Sequence, residues 1–141
     1  MALVGKYTKY DVIDTGETEI HTIEYPNNLP DGHPDFNKAG TKEEVERPVY
    51  ENISTDYQDA YVTVQAVQIF KHKTEHDSKN LFNITYRVYE NKDDKINDLN
   101  SYIKQDFIVA QEIDYLSGKN ETTQAYELVK MAQGCEELVN D

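Results

Sequence analysis

Two segments in the middle of the chain alternate apolar and polar residues with the period of a β-strand. The inward-facing positions of the first segment, residues 60–70, are Val62, Val64, Ala66 and Phe70. The inward-facing positions of the second, residues 81–89, are Phe82, Ile84, Tyr86 and Val88. A period of two is typical of a half-buried strand. The polar stretch between the segments predicts an antiparallel pair.

A third strand and one helix complete the predicted core. Residues 107–115 predict the third strand, after a polar crossover or short helix at 91–100. The helix spans 121–133, with Asn120 as its N-cap and Gly134 as its stop. Its apolar stripe is Ala125, Leu128, Val129 and Ala132. The pattern predicts an α+β fold, in which a sandwich-like antiparallel sheet over residues 60–116 is packed on one face by the C-terminal helix.

The first 25 residues predict a hairpin. Segments rich in β-branched and aromatic residues lie on either side of Asp14-Thr15-Gly16-Glu17, which contains a turn glycine. Their apolar content is thin for two buried strands. An extended arm that lies on another surface and a hairpin within the domain's own sheet both satisfy this pattern.

The region after the hairpin predicts a long loop. All four prolines lie between residues 26 and 48, within a Pro-rich segment that extends to residue 59. Loops of this length are usually functional or disordered. We therefore expect the loop 26–48 to order against a partner or to stay mobile. The regions 1–25, 26–59 and 60–141 together are expected to form one domain, given the chain length of 141 residues.

The composition limits the kinds of partner that the protein can bind and indicates the compartment in which it is made. A net charge of −13 disfavours direct binding to nucleic acid or to anionic membranes, because both need basic surfaces. No stretch approaches the twenty apolar residues of a membrane span, and the N-terminal lysines interrupt any signal-peptide pattern. We therefore expect synthesis in a reducing cytoplasm. The single cysteine, Cys135, is expected to be a small buried hydrophobe rather than a nucleophile.

No local motif for catalysis or cofactor binding is present. His72 and His76 are the only close histidine pair, and the glutamate between them lacks the spacing of a zinc-protease helix. Asn91–Asp98 has oxygen ligands but lacks the spacing of an EF-hand loop. The prediction is a protein without enzyme activity, cofactor or metal. A small enzyme that uses the loop histidines remains an alternative, and it predicts bound metal.

The remaining chemistry is that of interaction surfaces. Tyrosine is enriched in interface hot spots, and many tyrosines lie outside the predicted core strands. The predicted partner-contact residues are Tyr7, Tyr10, Ile20, Ile23, Tyr25, Phe36, Tyr50 and Tyr57. The alternative is that the tyrosine rings pack on the domain's own sheet.

The C-terminal eighty residues carry a resemblance to a known class of protein. The matching runs are Tyr86-Arg87-Val88-Tyr89, Asp106-Phe107-Ile108-Val109, Thr123-Gln124-Ala125-Tyr126-Glu127-Leu128-Val129-Lys130 and Glu136-Glu137-Leu138. In order and pattern they resemble small proteins encoded in the structural gene clusters of tailed bacteriophages. The resemblance implies a virion component of the capsid, neck, tail or baseplate, assembled in the host cytoplasm. It would be present in many copies and would bind other virion proteins or further copies of itself.

A rival hypothesis of a different class rests on charge alone. An acidic protein can mimic DNA and so inhibit a nucleic-acid-binding protein of the host. Such a mimic needs carboxylates at phosphate-like spacing, usually along helices. In this chain the acidic residues are spread over predicted loops and strands, which favours the virion hypothesis.

Overall fold

A computed structural model describes all residues, 1–141. The elements are β1 Leu3–Glu24, β2 Lys42–Lys73, β3 Ser78–Tyr89, α1 Lys92–Asn97, β4 Lys104–Glu112, α2 Glu121–Lys130 and β5 Glu137–Asn140. The fold is α+β, as predicted, with one five-stranded, mostly antiparallel sheet in the order β4-β3-β2-β1-β5. There is no second sheet, so the predicted sandwich-like packing is not confirmed.

The chain forms two compact units that share its two longest strands. The sheet–helix unit comprises residues 1–10 and 54–141, and the hairpin unit comprises residues 11–53. Both β1 and β2 run from one unit into the other. Only the sheet–helix unit contains buried side chains. Most of the apolar ones form the main hydrophobic core, and Ala2, Tyr61 and Tyr89 form a second, smaller cluster.

The predicted inward face of β3 is confirmed. Phe82, Ile84, Tyr86 and Val88 are all buried in the core. The antiparallel pairing of β3 with β2 and with β4 also agrees with the prediction.

The predicted inward face of β2 is correct only for its first half. Val62 is buried and Val64 packs against the core, but the pairing register shifts between Val64 and Ala66. Beyond this bulge Val67 lies opposite Ile84 and packs against the core, whereas Ala66 is exposed. An extra residue in one strand exchanges its two faces. The inward positions predicted for Ala66 and Phe70 are therefore wrong.

Helix α2 begins where its cap predicts. The Asn120 side chain accepts the Thr123 N–H at 2.8 Å, which satisfies one of the free donors of the first turn. The buried residues Ala125, Tyr126 and Val129 pack α2 onto the sheet core, as expected for the helix that covers one face. The helix ends at Lys130, three residues before its predicted end.

Gly134 has a different role from the predicted helix stop. Its φ of 87° lies in the left-handed region, and its carbonyl accepts the Thr8 N–H at 3.1 Å. A Cβ at this position would lie 2.1 Å from the Thr8 carbonyl oxygen, so only glycine allows the approach. The chain then forms β5, a strand that the sequence pattern did not predict. β5 pairs with the start of β1, where Lys6 lies 3.3 Å from Glu137.

The predicted turn at residues 14–17 is wrong, because β1 continues through it. Gly16 has a φ of 78°, and its N–H is donated to the Asp14 side chain at 2.9 Å. A glycine in this conformation serves either a reversing turn or a local irregularity within a strand, and here it is the second. The hairpin is thus formed by β1 and β2, not within residues 1–25.

The predicted loop 26–48 is also shorter in the structure. β2 begins at Lys42, so Pro48 lies within a strand. Strand β3 pairs with β2 only from Tyr61 onward, which leaves an outer edge free beside Pro48. A proline, which lacks an N–H, is tolerated at such an edge.

The hydroxyl of Tyr126 joins three segments of the sheet–helix unit. It accepts the Val64 N–H at 3.0 Å, next to the β2 bulge, and it donates to the Met1 carbonyl at 2.6 Å. The Tyr126 side chain is only 5% exposed. One side chain of α2 therefore satisfies backbone groups of β2 and of the N-terminal residue.

Cys135 is fully buried in the core, in agreement with the prediction of a small hydrophobe. Burial raises the pKa of its thiol to about 12, because a thiolate is poorly solvated there. The nucleophilic form is therefore scarce at neutral pH.

Replacing Tyr126 by Phe is expected to lower the free energy of unfolding by about 1–3 kcal/mol, because two backbone groups lose their partner. Urea denaturation measures this change. The control is Thr63→Val. Thr63 is only 6% exposed, and its hydroxyl has no hydrogen-bond partner. That substitution is expected to cost less than about 1 kcal/mol or to stabilise. An equal loss in the two variants would contradict the role of the Tyr126 hydroxyl.

Cys135 of the native protein is expected to resist alkylation by iodoacetamide at pH 8. The rate is expected to be about a thousandfold below that of the urea-unfolded chain, because the folded thiol ionises only near its raised pKa. As the pH rises above the ordinary thiol pKa, the free energy of unfolding decreases, because the thiol of the unfolded chain loses its proton more easily than the buried thiol. Mass spectrometry of the modified protein measures the rate, and rapid native labelling would show that the thiol is accessible.

Candidate interaction surfaces

The hairpin unit has no buried side chain. Every residue from 11 to 53 is exposed or only partly buried. A two-stranded hairpin without a packed face is marginally stable in water. The side chains of this unit form no core of their own. The side chains on both faces of this hairpin are thus exposed or only partly buried.

The hairpin unit carries most of the net charge. Residues 11–53 contain eleven Asp and Glu residues against three Lys and Arg residues, a net charge of −8 out of −13 for the chain. Charge of one sign on one unit creates a local potential that attracts basic surfaces. It also opposes contact between the hairpin units of two copies.

The loop that connects β1 and β2 has its own hydrogen-bond network. The backbone of Tyr25 donates to Thr41 at 3.0 Å and accepts from Gly40 at 3.1 Å. The Tyr25 hydroxyl donates to Glu43 at 2.7 Å, and Lys38 lies 3.4 Å from the same carboxylate. The hydrogen bond from Tyr25, followed by that from Lys38, lowers the pKa of Glu43. These bonds give the loop a defined shape that includes a short 3-10 helix at residues 36–38.

The predicted contact residues fall into three groups by exposure. Tyr10, Ile20, Phe36 and Tyr50 are exposed, whereas Ile23, Tyr25 and Tyr57 are partly buried. Tyr7 is only 2% exposed and lies in the core. The assignment of Tyr7 as a contact residue is therefore corrected to the alternative, in which the ring packs on the domain's own sheet. Tyr57 also packs against that core.

Three further apolar residues of the hairpin were not predicted as contacts. Val12, Ile13 and Ile53 are exposed, although their β-branched character is typical of buried strand positions. One feature of the sequence could have identified them. The apolar content of this segment is too low for two buried strands, which is also why an extended arm was one of the two predicted structures.

A second exposed apolar region lies in the sheet–helix unit. Leu116 is 98% exposed in the loop after β4, and Met131 is 80% exposed just after α2. A cavity of about 310 Å³ lies between this loop and α2. Sequence periodicity did not identify this region, because Leu116 lies in a loop and Met131 lies outside the apolar stripe of the predicted helix.

The histidines are not part of any group of three or more metal-binding side chains, although His21 lies 2.6 Å from Glu19 and His76 lies 3.9 Å from Glu75. His72 lies in β2, and the His76 side chain is 89% exposed in the turn before β3. No group of three or more His, Cys, Asp or Glu side chains has an arrangement that could hold a metal ion. None of the helices has the length and apolar content needed to cross a membrane.

Comparisons with protein-family models, with curated proteins and with solved structures found no match for this chain.

Proposed function

We propose that this protein is a non-enzymatic structural component of a tailed-phage virion, which docks on other virion proteins through its hairpin unit. The observation that carries the proposal is a hairpin of residues 11–53 without one buried side chain. Ordering a hairpin of this length costs conformational entropy, and no buried side chain of the hairpin offsets that cost. Docking on a partner offsets that cost by burying the exposed side chains.

The free edges of the hairpin support docking. β5 pairs with β1 only along Leu3–Lys6, and β3 pairs with β2 only from Tyr61 onward. Within the hairpin unit, each strand therefore has one edge without a neighbouring strand. Such edges recruit strands of other chains, and alternate side chains then supply specificity.

The exposed apolar side chains supply the contact area. Ile20 is 67% exposed and Tyr50 is 62% exposed, and both lie on strands of the hairpin unit. Aromatic and aliphatic side chains on a rigid element are typical of interface hot spots. The charge of −8 favours a partner with a basic surface, because complementary charge speeds association and fixes register. It makes other virion proteins better partners for the hairpin than a second copy of this chain.

The virion setting rests on the pattern resemblance of residues 86–89, 106–109 and 123–130 to small proteins from tailed-phage structural gene clusters. A component present in many copies needs a repetitive surface to bind and needs no active site. A soluble acidic domain with a docking hairpin fits that requirement.

The DNA-mimic hypothesis gains one observation from the structure. The acidic side chains Glu17 and Glu19, like Glu44 and Glu46, alternate along strands of the hairpin unit, so each pair lies on one side of its strand. Exposed apolar residues interrupt this pattern, which is unlike a continuous row of phosphates. Competition with DNA for a host DNA-binding enzyme distinguishes the two hypotheses.

The double substitution Ile20→Ser and Tyr50→Ser is expected to reduce incorporation into particles by about tenfold or more, because each lost contact costs about 1 kcal/mol or more. Particles are produced from the genome that carries this gene, and quantitative mass spectrometry counts the copies per particle. The matched control is Val139→Ser, which removes an exposed apolar side chain from β5 instead. Protection of Cys135 from alkylation checks that all variants are folded.

Two outcomes would contradict the proposal. The wild-type chain could be absent from purified particles, or the double variant could be incorporated as well as the Val139→Ser control. Absence from particles together with competition against DNA would support the mimic instead.

A further inference from the structure

The cavity between the loop 112–119 and α2 has apolar walls and an acidic rim. Leu128 and Met131 of the helix side provide the apolar surface, and Met131 is largely exposed. Glu112, Asp114 and Glu127 line the same cavity, with Lys119 as its only cation. The volume is about 310 Å³, enough for one long side chain.

The loop that forms one wall is hydrogen-bonded to a buried glutamine. The Gln124 side chain accepts the Asp114 N–H at 2.9 Å and donates to the carbonyls of Asp114 and Lys119, each at 2.9 Å. Gln124 is 9% exposed, and these bonds use both ends of its amide. A wall with a fixed shape binds a partner without paying for its own ordering.

The charges of the rim leave one carboxylate without a cation. Lys119 pairs with Glu127, and Lys79 lies 3.4 Å from Glu112. Asp114 accepts the Leu116 N–H at 3.0 Å but has no cationic side chain within ion-pair distance. The cavity therefore presents an unneutralised negative charge beside an apolar wall.

We infer that this cavity receives an arginine side chain of a partner protein. The aliphatic stem of the arginine packs against Leu128 and Met131, and its guanidinium pairs with the Asp114 carboxylate. Arginine suits the site better than lysine, because a guanidinium is planar and less strongly hydrated than an ammonium. The net charge of −13 opposes the approach of a second copy of this chain, so the occupant comes from a basic partner.

This inference goes beyond the proposed function and uses none of the hairpin residues. The cavity lies wholly within the sheet–helix unit. A partner that occupied both surfaces would be held at two places, and its apparent affinity would then exceed that of either contact alone.

The test is a titration of the full-length, ¹⁵N-labelled protein with the capped peptide acetyl-Gly-Arg-Gly-amide, followed by NMR chemical shifts. The matched probe is the same peptide with citrulline, which keeps the shape of arginine without its charge. We expect saturable shifts at the Asp114 and Leu116 amides and at the Gln124 side-chain amide, with the arginine peptide only.

Two variants separate specific binding from general attraction to an acidic surface. Asp114→Asn keeps an acceptor for the Leu116 N–H and is expected to weaken binding about tenfold. Glu44→Gln removes the same charge from the hairpin unit and is expected to leave the affinity unchanged. Equal effects of the two variants, equal shifts with the citrulline peptide, or no localised shifts would each overturn the inference.

Discussion

The hydroxyl of Tyr126 holds together three segments around the core of this protein. It connects α2 to the bulge of β2 and to the first residue of the chain, segments that are remote in sequence. The bulge exchanges the faces of β2, so Val62 and Val67 both point into the core although they differ in parity. The Val64 N–H beside this irregularity would otherwise be partly buried without a partner, which is costly. The helix thus compensates for a defect in strand pairing.

Contacts with the C-terminal segment hold the start of β1 in place. Gly134 brings the chain within hydrogen-bond distance of Thr8, and β5 then pairs with Leu3–Lys6. β1 is therefore held at its first residues by the core, while its later residues belong to a unit with no buried side chain. This division between a unit with a core and a unit without a buried side chain is the observation on which the proposed docking role rests.

Local patterns predicted the elements that depend on local physics. The alternation of Phe82 to Val88 identified β3, and the side chain of Asn120 identified the start of α2. The patterns failed where the structure depends on pairing between segments that are remote in sequence. The burial of Tyr7 depends on contacts made by the C-terminal segment, and the continuation of β1 through Gly16 depends on its partner strand. A glycine with a positive φ is compatible with either a turn or a strand irregularity, and the sequence around Gly16 does not distinguish them. The exposure of Ile20 and Tyr50 was expected from their positions outside the predicted core strands, and their role as partner contacts stays a prediction. Leu116 was not, because no period marks a loop residue.

Amide hydrogen exchange tests the central claim most directly, namely that residues 11–53 are an open unit that is completed by a partner. In the free protein, the amides of residues 11–24 and 42–53 are expected to exchange about a hundredfold faster than those of β3, because no side-chain packing protects them. After incorporation into particles, the same amides are expected to slow by a similar factor, while β3 changes little. The account would be contradicted if the hairpin were as protected as β3 in the free protein, or if incorporation left its exchange unchanged.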